Sequence, residues 1–345
     1  MPTLKQALAL YDYVLPKERI ALTPASPRDS ARLVTYDRKT GEKTWTTFRT
    51  LPKFLPENAV LVLNETKVIP AQLCLKRSSG GMVEILSIGT KEGNIIAFAN
   101  RKLWEAEFLT LKGKLGFTVS GTSGKYWLLT PSFPLTTLQK IFERFGNAPL
   151  PPYLRHSPLS RALRKRAYQT IIAKNPGSIA APTASLHFTE RLLKSLQREG
   201  ITIARVTLHV HLGTFSPLTE DQWKNGLLHK EHYEIDARNK RLLENAKKAG
   251  RPIIAVGTTV ARTLESAANG RGKLHPVKGS TRLFIREGYR FCFVDGLITN
   301  FHVPRSSLLM LVGAFMGREE LLKLYAESIE KKLRFFSFGD AMLIL

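Results

Sequence analysis

Residues 177–190 read GSIAAPTASLHFTE. Small side chains crowd one imidazole, His187, before Thr189 opens a helix. Backbone packed this closely beside a histidine suits a wall against a bulky ligand, with the ring placed for proton transfer. A tight turn between packed elements would use the same residue types. Further candidates fall where predicted strands end. ITIARVTLHV delivers His209, and PIIAVG runs into Gly257, Thr258 and Thr259, with Arg262 one turn on. FCFVDG delivers Asp295, followed by Thr299, Asn300 and His302, and RFFSFGDAMLIL sets Asp340 between aromatics and an apolar strand. Ligands of α/β proteins gather at the carboxyl ends of strands. The amides of a strand–GTT–helix turn suit an anion or a ribose hydroxyl. Each residue also has a plain structural use: strand-end histidines serve cores, threonines cap helices, and a buried aspartate needs a partner. Their convergence on one sheet edge favours a site.

A second signal is charge. Residues 151–200 hold nine Lys or Arg against two acids. The densest part, PPYLRHSPLSRALRKRAYQ, carries Arg155, Arg161, Arg164, Lys165 and Arg166, framed by Tyr153 and Tyr168. Basic groups suit phosphates, and aromatics suit unstacked bases, as in looped RNA. A solvated helix face is the plain alternative, but no acids interleave as they would there.

These residues need a scaffold. Within residues 71–149, MVEILSI, IIAFA, EAEFLTL, LGFTVS and YWLLT read as short strands separated by Gly-rich turns. That spacing predicts a small β-barrel, followed by a helix over TTLQKIFERFG with Gly146 as its stop. The rest alternates helix and strand. Thr189 caps ERLLKSLQRE, Asp236 caps ARNKRLLENAKKA, and TTVARTLESAA, SSLLMLVGAFM and REELLKLYAESIEKKL read as helices. RLVTY, AVLVLN, PIIAVG and AMLIL read as strands. The expected fold is α/β, a discontinuous open α/β-barrel-like domain (1–70 and 150–345) carrying an inserted small β-barrel domain (71–149).

Bulk properties agree. The chain has 345 residues, ample for two domains, and a formal net charge of +24. So large a positive charge points to a polyanionic partner, nucleic acid first. Cys74 and Cys292 have no metal-type spacing and fit a reducing cytosol. No signal peptide is visible, and the longest apolar stretch, Leu308–Met316, is too short to span a bilayer. There is no dinucleotide or Walker fingerprint, and no HExxH, CxxC or GxSxG, so metalloprotease, redox and hydrolase readings lose their main support.

Several long motifs are collinear along nearly the whole chain. They include YDYVLPKERIAL (11–22), RDSARL (28–33), LVLNETKVIPAQL (61–73), PLPPYL (149–154), GSIAAPTASLHFT (177–189), GTFSPL (213–218), GTTVARTLES (257–266), FVDGLITNFHVPRSSLLMLVGAF (293–315) and RFFSFGDAML (334–343). Together they resemble the S-adenosylmethionine:tRNA ribosyltransferase-isomerase family of queuosine biosynthesis. The resemblance implies transfer of the ribosyl group of S-adenosylmethionine onto 7-aminomethyl-7-deazaguanine at the tRNA wobble position. The sugar is isomerised, giving epoxyqueuosine and releasing adenine and methionine. No metal is expected. The partner would be the anticodon stem-loop of tRNA, and the protein a cytoplasmic monomer.

That reaction assigns tasks. The sulfonium acidifies the adjacent ribose carbon, and His187, His209 and Asp340 are the candidate bases. Arg262 or Arg28 would take the methionine carboxylate, and Asp295 and Asn300 the ribose hydroxyls. The resemblance also places Asp29, Thr183, Thr258, Thr259 and His302 at the cosubstrate. Tyr153, Arg155, Arg161, Arg164, Lys165, Arg166 and Tyr168 would meet RNA. The chain departs from the family pattern at Ser185, at Glu65 and Lys67 on either side of a matching Thr66, and at His211. A catalytically weak or inert tRNA- or RNA-binding protein on the same fold is the rival reading, and adenine release separates the two. A methyltransferase fits less well, because no Gly-rich nucleotide loop follows a first strand.

Overall fold

Four strands, Thr202–Leu208 (β12), Val60–Asn64 (β3), Ile253–Val256 (β14) and Gly296–Asn300 (β16), lie side by side and parallel in that order at the centre of a nine-stranded sheet. The computed structural model in which they are seen describes residues 2–210, 217–275 and 277–345. The sheet comprises β1 (Arg32–Tyr36), β2 (Lys43–Thr47), β3 (Val60–Asn64), β12 (Thr202–Leu208), β13 (Leu227–Glu234), β14 (Ile253–Val256), β15 (Lys278–Leu283), β16 (Gly296–Asn300) and β17 (Ala341–Ile344). Antiparallel β13 and β15 extend one side. On the other side β17 runs antiparallel to β16 and parallel to β1, and β2 closes the edge.

Strands β3, β14 and β16 are buried on both faces along their length, as the middle of a parallel sheet must be, while β12 exposes Arg205. Val60 and Val62 face one apolar core with Ile253 and Ala255, while Leu61 and Leu63 face a second with Ile254 and Val256. The first core is covered by α6 (Ala237–Lys248), α7 (Thr258–Ala267), α8 (Ser307–Met316) and α9 (Arg318–Glu330), the second by α4 (Glu190–Arg198) and the 3-10 turn Phe48–Phe54. The helix starts follow the sequence. Thr189 Oγ1 accepts from the Leu192 amide, and the Asp236 carboxylate from that of Asn239.

A closed six-stranded barrel forms from β5 (Gln72–Arg77), β6 (Met82–Lys91), β7 (Asn94–Ala99), β8 (Phe108–Lys112), β9 (Leu115–Ser123) and β10 (Tyr126–Pro131). Its core is its own, with Leu73, Leu75, Val83, Ile85, Ile95, Phe117 and Leu129 inside. The α/β expectation with a small barrel is met. Strand β5 is absent from the sequence expectation, because QLCLKR has only Leu73 and Leu75 in apolar alternation before its basic end. Helix α2 (Leu138–Phe145) leans Phe142 on the barrel core and stops at Gly146, where a Cβ would lie 1.9 Å from the Pro70 carbonyl oxygen. The remaining helices α1 (Leu4–Ala9), α3 (Arg161–Ala167) and α5 (Glu220–Asn225) are short. A two-stranded ribbon pairs β4 (Thr66–Val68) with β11 (Asn175–Ser178).

One expected strand is displaced. Most of FCFVDG lies outside the ladder: the strand begins only at its last residue, Gly296. The Glu265 carboxylate instead accepts hydrogen bonds from the amides of Cys292, Phe293 and Val294, which takes them out of any ladder.

Candidate active site

The parallel strands carry their last residues to one rim, and a cavity of about 580 Å³ opens there. Val210 beyond β12, Gly257, Thr258 and Thr259 beyond β14, and Thr299 and Asn300 at the end of β16 all line it. So do Thr183 and Ala184 from the small-residue wall, and His302, Arg305, Phe336 and Ser337 from later loops. That volume falls within the roughly 300–1,000 Å³ of small-molecule sites.

The turn after β14 is set by Gly257, at φ 92° and ψ 154°, a region that side chains avoid. It lays Thr258 and Thr259 across the first turn of α7. Asn64, at the end of β3, stitches the floor: its Nδ2 donates to the Leu208 carbonyl, and its Oδ1 accepts from the Thr66 and Leu208 amides. Two non-glycine residues of the lining have left-handed backbone, Arg305 at φ 54° and Phe336 at φ 71°. Such conformations cluster at functional sites.

Asn300 is 2% exposed. Its Nδ2 donates to His187 Nε2 at 3.1 Å and to the Phe336 carbonyl at 3.3 Å, and its Oδ1 has no partner. His187 is buried behind it, tilted against Phe48 with ring centres 4.9 Å apart. Burial, then the nearby charges of Arg334 and Arg28, push its pKa down to about 3. His302 meets the Thr299 hydroxyl through Nε2 at 2.9 Å, and burial lowers it to about 4. Both rings are neutral at neutral pH. Tyr153 donates to or accepts from Ser337 Oγ at 2.7 Å and packs on Phe336, and burial raises its phenol to about 12.

A family model described as "Queuosine biosynthesis protein" matches residues 8–344. The chain belongs to this queuosine biosynthesis family. Among its relatives, the S-adenosylmethionine:tRNA ribosyltransferase-isomerase of Heliobacterium modesticaldum is 45% identical over 344 residues, 98% of this chain and 99% of that protein. The protein of the same name from Carboxydothermus hydrogenoformans is 43% identical over 97% of this chain and 98% of its own length. The crystal structure of S-adenosylmethionine tRNA ribosyltransferase from Thermotoga maritima superposes with a TM-score of 0.57 at 33% identity, covering 97% of this chain and all of that one.

Against this family background the expected residues separate into three groups. Thr183, Thr258, Thr259, Asn300 and His302 come together on the cavity, as does Thr299. Tyr153, expected on RNA, lines it too. A second group stands at the same rim with its polar atoms already engaged. The Asp340 carboxylate accepts from the Arg32 and Arg334 amides and pairs with the Arg334 guanidinium at 3.4 Å, so it clamps backbone rather than facing the cavity. His209 Nδ1 meets Thr66 Oγ1 at 2.8 Å. Its ring lies on Gly177, where an added Cβ would stand 2.9 Å away, and this close approach explains the bare backbone of GSIAAP.

The third group is placed elsewhere. Asp295 precedes its strand, on the opposite edge of the sheet, where it pairs with Lys247 and accepts from the Ile253 amide. Arg262 is buried in an ion pair with Glu231 and donates to the Leu283 carbonyl. Arg28 donates to the carbonyls of Arg166, Ala167 and Gln169, fastening the end of α3. Buried Asp29 accepts from Thr189 Oγ1 at 2.9 Å and pairs with Arg191. Tyr168 is fully buried, so it offers no face to a base. Sequence reading took chemical type for placement in each case. Arg155, Arg161, Lys165 and Arg166 are exposed and Arg164 half-buried, in keeping with a basic outer face.

Of the departures, Ser185 is buried in the wall with its hydroxyl unpartnered, and Glu65 is turned toward Asn175 and Arg205. Lys67 is exposed, and His211 lies outside the described residues. Asn64, Arg305, Phe336 and Ser337 are the site residues that sequence reading missed. All four lie in the long collinear motifs, Asn64 in LVLNETK, Arg305 in HVPRSS, and Phe336 and Ser337 in RFFSFGDAML. Among the described residues, no group of His, Cys, Asp and Glu is arranged to hold a metal, and no helix is long and apolar enough to cross a membrane.

Proposed function

We propose that this chain transfers and isomerises the ribosyl group of S-adenosylmethionine onto 7-aminomethyl-7-deazaguanine at the tRNA wobble position, yielding epoxyqueuosine and releasing adenine and methionine. The observation that carries the reading is the family match over residues 8–344, joined by curated relatives that bear this enzymatic name along nearly their full length. The cavity suits a nucleoside cosubstrate in size and in its hydroxyl and amide lining.

The sulfonium supplies acidity at the neighbouring ribose carbon and a good leaving group. The chain's own residues do the rest. Thr183, Thr258 and Thr259 offer hydroxyls, and Asn300 offers a carbonyl acceptor. Arg305 is the one guanidinium among the described lining residues; its Nη2 pairs with half-exposed Asp12, and its other N–H groups take the methionine carboxylate in place of Arg28 and the buried Arg262. His302 takes the ribose proton: it is neutral, lines the cavity and keeps a hydroxyl partner in Thr299. Residues 71–149 serve as an inserted barrel domain beside a catalytic domain of 1–70 and 150–345. The anticodon stem-loop lies along the exposed arginines of 155–166. A reducing cytoplasm fits two free cysteines.

The test uses purified protein, S-adenosylmethionine and tRNA carrying the aminomethyl-deazaguanine base. Adenine and methionine release with the mass of epoxyqueuosine supports the reading. Tight tRNA binding with no adenine overturns it. His302→Gln is expected to bind the cosubstrate and release adenine at least about 100-fold more slowly, the scale of a lost general base.

A further inference from the structure

We propose that His187 is a positioning residue: its Nε2 holds the Asn300 amide so that Oδ1 is presented to an N–H or O–H of S-adenosylmethionine. The inference rests on the function proposed above, and its argument is the orientation of one amide. The Phe336 carbonyl lies 3.3 Å from the amide nitrogen of Asn300 and can only accept. Turned the other way, Asn300 would set its own oxygen against that carbonyl and strand its NH2 group. With the nitrogen on Phe336, the second N–H reaches His187 at 3.1 Å. His187 Nε2 must then accept, so its proton sits on Nδ1. That leaves Oδ1 as a buried acceptor without a partner in a residue that lines the cavity. Leaving such an atom unsatisfied is costly unless a ligand meets it.

The arrangement also removes His187 as the base. Its Nε2 is engaged, it does not line the cavity, and Phe48 covers its face. Burial keeps the ring neutral, which preserves the lone pair the amide needs.

The experiment titrates S-adenosylmethionine by calorimetry into wild type, His187→Gln, His187→Phe, Asn300→Ala and the His187→Phe/Asn300→Ala double variant. Adenine release on tRNA and thermal melting are followed in parallel. Glutamine puts a carbonyl acceptor where Nε2 stood, so affinity within about twofold of wild type and sustained turnover are expected. Phenylalanine keeps the ring on Phe48 without the acceptor, so affinity is expected to fall roughly 3–10-fold, the worth of one hydrogen bond, with KM rising more than kcat drops. The double variant should bind no more weakly than Asn300→Ala alone, because both changes remove one interaction. Glutamine as inactive as phenylalanine would return His187 to proton transfer and overturn the proposal. So would wild-type affinity in His187→Phe. Adenine release by wild type tests the function separately, so binding without turnover would sink that reading while the affinity series still judges the amide.

Discussion

Two imidazoles are held neutral inside this protein, and their cost appears when acid is added. Burial keeps His187 near 3 and His302 near 4, against an ordinary value of 6.5. Unfolding frees both rings to take up protons, so the unfolded chain binds more of them below about pH 6.5. The stability from these sites is complete above that value and is lost as pH falls through 4 and then 3. The melting temperature is expected to drop between pH 7 and 4.5, and to drop less steeply in His187→Gln. An identical slope in the variant would show that the ring is not held as described. Asp340 shows a different lesson at this scale. An acid in an apolar setting was read as a base, yet its carboxylate binds two backbone amides and a guanidinium. Composition reveals that a buried acid needs partners. It does not reveal whether those partners are ligand or backbone.

At the scale of elements, the turn that leads from β14 into α7 governs the cavity wall. Gly257 has φ 92°, and a Cβ there would find only ordinary contacts, 3.5 Å from Ala184. The penalty of Gly257→Ala is therefore conformational, on the order of 1–3 kcal/mol. Urea denaturation should register that loss, and S-adenosylmethionine affinity should fall with it, because Thr258 and Thr259 hang from this turn. Unchanged affinity in a destabilised variant would place the threonines outside the binding surface. The β–turn–helix units were legible in the sequence, since each has local signals: Thr189 and Asp236 as caps, and apolar runs of strand length. Asp295 was not legible, because FCFVDG has the composition of a strand and is held out of the sheet by Glu265, distant in sequence. The sheet order and the strands β13 and β15 depend on pairings between remote segments, which no local pattern encodes.

The molecule as a whole carries a charge of +24, and its densest basic segment is fastened to the cavity-bearing domain by Arg28. Replacing Lys165 and Arg166 by alanine is expected to weaken tRNA binding and to lower the slope of log affinity against log salt by about one per lost phosphate contact. Cosubstrate affinity without tRNA should not change. An unaltered slope would move the RNA surface elsewhere. The basic character of this surface was plain in the sequence. The burial of Tyr168 and the inward turn of Tyr153 were not, because an aromatic beside arginines reads the same whether it faces a base or a core.

Tyr153 begins the basic segment and also closes the cavity, touching Ser337 and Phe336, the latter holding the Asn300 amide. One side chain is thus shared between the two surfaces on which two different ligands would sit. Whatever factor one ligand applies to the other's affinity through that phenol, whether it strengthens or weakens it, is the same in both directions, since the free energy of filling both sites does not depend on which is filled first. The protein has a built-in order-independent handshake: whatever factor docked RNA applies to the hold on the small molecule, the small molecule applies in return to the hold on RNA.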